Sequence, residues 1–175
     1  MSLKIDVFNH IFPKPFFDRL QKEIVNRGAI KRWLHIPFLY DLDVRFRLLE
    51  EFGDGYRQVL SLSAPPIESI NPDRQITIDL ARLANDSQAE LVRRYPERFP
   101  GFVASLPLNH PDQSVMELER AVRELGALGV QIFSNVNGLP LDDERFFPLF
   151  ETAARLHCPV LLHPARGAGL PVRSM

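Results

Sequence analysis

The 175-residue chain carries 21 basic and 22 acidic side chains, a net charge of -1, and 45% hydrophobic residues. A near-neutral balance with no Lys/Arg run leaves no electrostatic footprint for nucleic acid, and no apolar run is long enough to span a bilayer. The length suits one domain with a real core. The only cysteine, Cys158, has no internal disulfide partner and is expected to be a small buried apolar residue. Residues 1–6 contain no apolar signal core, so a cytoplasmic protein is expected.

In chain order, short apolar runs alternate with longer amphipathic ones. Residues 5–8 predict a first strand, and Pro13 and Pro15 then break the chain. Residues 16–26 predict a helix with Phe17, Leu20, Ile24 and Val25 on one side, stopped by Gly28. Residues 29–40 fit no period and form an excursion; 44–52 predict a helix ended by Gly53 and Gly55. A second strand at 58–62 is followed by a long helix at 72–94, with Asn71 as N-cap before Pro72. A third strand at 101–106 leads to a helix at 113–125 capped by Asp112, and a fourth at 130–133 to a helix ending near 156, capped by Asp142 or Asp143. The fifth strand is 160–163, and 166–175 reads as a loop.

Strand and helix alternation of this kind predicts an α/β protein with a parallel sheet. Five strands would complete a doubly wound open sheet, whereas a (β/α)8 barrel typically takes about 250 residues. The first strand, however, is followed by Asn9-His10-Ile11-Phe12-Pro13, which is no glycine-rich phosphate loop. Polar residues gather instead at C-terminal strand ends: Asn9 and His10, Ser61 and Ser63, Asn109 and His110, Ser134 and Asn135, and His163. Barrel enzymes build their sites on that rim. The expectation is a TIM-barrel-like (β/α)8 fold with about five βα units present. Residues 1–175 would form one domain that stops before barrel closure. Open strand edges and uncovered Val59, Leu60, Val103 and Ile132 would then favour association into homo-oligomers.

His10 and His163, at the ends of the first and fifth strands, are the candidate metal ligands. Imidazole at strand ends suits a divalent cation that activates water or polarises a carbonyl. Those strands lie opposite each other in an eight-stranded barrel about 15 Å across, so facing histidines would leave a gap of roughly 3 Å, room for a metal. His110, in the loop after the third strand, is a candidate substrate contact. His157, at a helix C-terminus, reads as structural, and His35 lies in the excursion.

The stretch Ile5-Asp6-Val7-Phe8-Asn9-His10-Ile11-Phe12-Pro13 resembles the opening of the amidohydrolase-related family. Its members include aminocarboxymuconate semialdehyde decarboxylase and related aromatic-acid decarboxylases and hydrolases. Residues 58–61, 102–108, 129–138 and Val160-Leu161-Leu162-His163-Pro164 are also similar to the family, in the right order on the right strands. The resemblance implies a divalent metal, most often zinc, on His10 and His163. Phe8 stands where the family usually has its first histidine, which weakens that site. The family's further histidine and its metal-binding aspartate belong to sixth and eighth strands that these residues do not include. The resemblance also implies that Arg45 holds a substrate carboxylate, and Asn135 would line the pocket. No catalytic residue is assigned.

The expected function is a metal-dependent hydrolase or decarboxylase acting on a small aromatic or enoic carboxylic acid. The alternative is a degenerate, non-catalytic relative that binds a small acid or a partner chain. Metal content separates the two.

Overall fold

The computed structural model describes residues 3–165, so the loop expected at 166–175 lies outside the described residues. The apolar runs become five strands: β1 (Lys4–Asp6), β2 (Tyr56–Leu60), β3 (Gly101–Ala104), β4 (Gly129–Phe133) and β5 (Val160–His163). They pair in chain order, and every pair is parallel. A doubly wound sheet reverses its strand order at a switch point; this sheet advances in one direction, as a barrel wall does.

The sheet is curled. In a flat sheet β1 and β5 would lie about 19 Å apart, four strand spacings. Instead His10, just past β1, and His163, at the end of β5, bring ring nitrogens to 3.3 Å. Only a wall bent back on itself, half a barrel, allows that approach.

Five helices cover the outer face: α1 (Lys14–Glu23), α2 (Leu42–Glu50), α3 (Arg74–Arg94), α4 (Pro111–Arg123) and α5 (Phe147–Arg155). Pro15 sits in the first turn of α1, where its missing N–H costs nothing. Asp73, not Asn71, caps α3: its carboxylate accepts from Ile76 N at 2.9 Å. Asn71 serves the approach instead, accepting from Asp73 N at 2.9 Å and donating to the Glu23 carbonyl at 2.7 Å. His110 holds the N-cap position of α4, and Asp112, expected there, lies in the first turn and pairs with Arg74. Asp143 caps the 3-10 turn Glu144–Phe146 that leads into α5. None of the helices among the described residues is long and apolar enough to cross a membrane.

The core lies between sheet and helices in three clusters. Phe12, Phe16, Phe17, Leu20 and Leu80 join α1 to α3. Leu60, Phe99, Phe102 and Ala121 fill the centre, and Leu118, Val130, Ile132 and Leu149 join β4 to α4 and α5. Cys158 is buried in the last of these, as expected. Val59, Leu60, Val103 and Ile132, expected to be uncovered, are all buried. Leu60 and Ile132 point into the helix-packed clusters rather than into the barrel. Both sheet edges nonetheless expose apolar side chains: Ile5, Val7 and Phe8 on the β1 side, Val160 and Leu162 on β5.

One buried polar staple holds the layers together. Asn85 of α3 donates to the Ser105 carbonyl at 3.0 Å and to Glu117 Oε1 of α4 at 2.7 Å, and accepts from Ser105 N at 2.9 Å. All three residues are buried. Asn85→Leu would leave the Ser105 amide and the Glu117 carboxylate short of partners, at about 1–3 kcal/mol per unsatisfied group. The expected result is a loss of at least about 2 kcal/mol, read as a lower denaturant midpoint with unchanged slope.

Candidate metal centre

His10 and His163 meet on the strand-end rim because the sheet curls, and their hydrogen bonds fix what each ring presents. Ser61 donates its hydroxyl proton to the Asn9 carbonyl, so toward the His10 ring its oxygen is an acceptor. His10 Nδ1, 2.9 Å away, therefore carries the hydrogen. His163 Nδ1 lies 2.9 Å from the Pro164 carbonyl, which can only accept. Both rings are thus held as Nδ1–H tautomers with bare Nε2 atoms, the form that binds metals. Those two bare nitrogens face each other at 3.3 Å. Burial first, then the neighbouring His163, pull the His10 pKa down to about 4, so its ring is neutral at pH 7.

Two metal–nitrogen bonds of about 2.0–2.1 Å at a tetrahedral angle put their nitrogens about 3.3 Å apart. The observed separation fits one edge of such a site. Among the described residues no group of three or more His, Cys, Asp or Glu side chains converges. Phe8 lies beside the pair, edge-on to His10 at 5.1 Å and stacked on His163 at 5.6 Å between ring centroids. Phe133, in register with His163 across β4 and β5, packs on the same ring at 4.7 Å. The two histidines therefore sit between aromatic walls.

Arg45 corrects an expectation. Expected to hold a substrate carboxylate, it is instead 0% exposed. Its guanidinium donates to the Phe38 carbonyl at 3.3 Å, Asn9 Oδ1 at 3.3 Å, Gln58 Oε1 at 2.6 Å, and the His10 carbonyl. It also lies over the Phe38 ring at 4.1 Å. Gln58 passes the interaction to Asp6 Oδ2 at 3.3 Å, and Tyr56 donates to the same oxygen at 3.0 Å. Burial lowers the Arg45 pKa to about 10, against the opposing pull of Asp6. Asn9 adds bonds to the Asp6 and Val59 carbonyls at 3.2 and 2.8 Å. The cation is a clamp that fixes the backbone carrying His10.

Of the other candidates, Ser134 stands next to the pair, its backbone N–H donating to the His163 carbonyl at 2.9 Å. His110 occupies the N-cap position of α4 without a side-chain capping bond, near Arg74 and Asp112; burial and then Arg74 lower its pKa. Asn135 accepts from Gly138 N at 2.9 Å and so closes the turn after β4. Ser134 bonds Ala165 N at 2.9 Å, holding the chain that leaves β5.

Sequence reasoning missed Glu68, on the 3-10 turn Ile67–Ser69, and the inward role of Gln131 on β4. Neither carries a motif; only burial marks them. Burial raises the Glu68 carboxyl to about 8.

The chain belongs to the amidohydrolase family, whose model matches residues 70–174. It is 36% identical to a 2-amino-3-carboxymuconate-6-semialdehyde decarboxylase of Dictyostelium discoideum, over 93% of this chain and 49% of that protein. It is 42% identical to a gamma-resorcylate decarboxylase of Rhodococcus jostii, over 70% of this chain and 39% of that protein. Among solved structures, a dihydroxybenzoic acid decarboxylase from a Polaromonas species, with bound manganese and the inhibitor 2-nitroresorcinol, superimposes with a TM-score of 0.73. That match has 33% identity and covers 97% of this chain and 51% of the other. The chain thus spans about half the length, or less, of these relatives, and its fold is the corresponding part of a TIM barrel.

Two outcomes follow from this geometry. Arg45→Met removes four donated bonds and the cation that holds the His10 carbonyl; a loss of about 3 kcal/mol is expected in chemical denaturation. Glu68 titrates near 4.5 when unfolded and at about 8 when folded. Its contribution to stability is therefore complete below the unfolded value, declines as pH rises, and is gone once pH passes the folded value. Thermal melts across that window should show a steeper decline for the native protein than for Glu68→Gln.

Proposed function

We propose that the whole protein is a metal-dependent decarboxylase of small aromatic carboxylic acids that carry ring hydroxyl groups. The observation that carries this reading is the pair of bare Nε2 atoms on His10 and His163, aimed at one point 3.3 Å across. Facing lone pairs repel unless a cation lies between them, and this pair has the spacing for one. The names of the relatives supply the reaction class, and residues outside this chain would complete the coordination.

His10 and His163 would hold the ion. Manganese, as in the Polaromonas relative, and zinc, expected from the family resemblance, both accept imidazole nitrogen. When bound, the cation supplies a positive charge that polarises and orients oxygens of the acid. Ser61 and the Pro164 carbonyl keep the two rings in the ligating tautomer. Arg45 and Asn9 fix the backbone at His10. Phe8 and Phe133 offer aromatic faces beside the pair, suited to stack on a flat ring and keep water away from it. In the reaction the ring–carboxyl bond breaks, its electron pair stays on the ring carbon, and that carbon takes up a proton as CO2 leaves.

Phe8 favours a second reading, a non-catalytic acid-binding relative, because a phenyl ring rather than a ligand touches both histidines. Metal analysis and CO2 release from 2,6-dihydroxybenzoate decide between them. The enzyme reading expects near one equivalent of manganese or zinc in the whole protein and CO2 release that chelation abolishes. His10→Ala and His163→Ala should each cost more than about 100-fold, beyond the 10–100-fold typical of residues that only support a ligand. Metal-free protein, or full turnover in His163→Ala, would sink it. The 175-residue chain by itself, with two ligands, should lose its metal on dialysis.

A further inference from the structure

A second polar feature lies one side chain away from the histidine pair. Between the ends of β2, β3 and β4 is a cavity of about 10 Å³, lined by Leu62, Ser63, Pro65, Glu68, Gln131 and Phe133, among others. Phe133 forms one wall and packs its ring on His163 at 4.7 Å. Glu68 and Gln131 are each 4% exposed, and Glu68 Oε1 and Gln131 Oε1 have no hydrogen-bond partner among the described residues. The orientation of the Gln131 amide is fixed, because its Nε2 donates to the Leu62 carbonyl at 3.0 Å. The atom left over is therefore an acceptor.

Glu68 is equally constrained. The turn Ile67–Ser69 carries it, closed by Ser69 N on the Pro66 carbonyl at 3.0 Å. Asn137, after β4, donates to the Glu68 carbonyl at 3.0 Å and pins that turn to the loop beyond Gln131. Two loops and a strand thus converge to line one small space with both residues. Leaving a buried polar atom unsatisfied costs about 1–3 kcal/mol, and native proteins rarely tolerate two together. A volume of about 10–15 Å³ for its centre is what one water needs. A hydroxyl at the tip of a larger molecule has the same size and the same donor.

We propose that this cavity is a hydroxyl site, in which one small O–H donor is held by Gln131 Oε1 and Glu68 Oε1. The donor comes either from a trapped water or from a ring hydroxyl of the bound acid. The second source rests on the aromatic-acid reading above; the first does not. Glu68, kept protonated by burial, can give as well as accept a hydrogen bond there, so a single oxygen satisfies both residues.

The test is a pair of high-resolution crystal structures of the metal-loaded whole protein, one ligand-free and one with 2,6-dihydroxybenzoate. A peak within hydrogen-bonding distance of both oxygens in the ligand-free map identifies water. A ring hydroxyl found there only in the complex identifies the acid. A cavity empty in both maps overturns the proposal. Should the protein bind no dihydroxybenzoate, the aromatic-acid reading fails while the ligand-free map still decides for or against the water. Glu68→Met, which fills the space with an apolar chain, should abolish the peak without moving His10 or His163; a peak that persists there overturns the role of Glu68. If that variant does not fold, the two native maps suffice.

Discussion

Two imidazoles whose Nε2 atoms stand 3.3 Å apart crowd their ring nitrogens together at one point, and much of the local structure maintains that approach. Each ring could relieve the crowding by moving its hydrogen from Nδ1 to Nε2. Ser61 and the Pro164 carbonyl prevent this by occupying Nδ1. Each could rotate away, but Phe8 and Phe133 pack against the rings. The lone pairs stay aimed because tautomer and rotamer are both fixed by neighbours.

The backbone beneath His10 is held as firmly. Just past β1, hydrogen bonds from a buried guanidinium replace strand pairing. Arg45 reaches in from α2, on the far side of the excursion, and ties Asn9, the His10 carbonyl and Gln58 together. An isolated buried cation is costly; here four acceptors, a phenyl face and the Asp6 carboxylate beyond Gln58 offset that cost. The arrangement explains why an arginine near the rim need not touch a substrate. It also makes the ligand geometry depend on a residue far from it in sequence.

Much of this was legible in the residues alone. Alternating short apolar and long amphipathic runs determined five strands and their helices, because burial of one face imposes periods of about 2 and 3.6. The parallel order followed, and so did the rim, since every strand of a parallel sheet ends on the same side. Residues 160–163 were read to the residue, and the pairing of His10 with His163 came from their positions at the ends of the first and fifth strands. Helix starts were less sharp: Asp73 rather than Asn71 caps α3, because several nearby polar side chains compete and tertiary contacts choose among them.

Only the tertiary structure decided what the polar side chains do. Arg45, Asn135 and His110 carry the chemistry of ligand-binding residues, yet one is a buried clamp, one closes a turn and one stands at a helix N-cap position without bonding the helix. Nothing in their local sequence reports which way each side chain turns. Glu68 and Gln131 were invisible for the converse reason: a glutamate in a short loop and a glutamine in a strand are ordinary until both are buried at one cavity. Local sequence determines the period, the order of elements and the end at which polar groups collect. Burial and mutual approach depend on the curl of the sheet, which no single stretch of residues encodes.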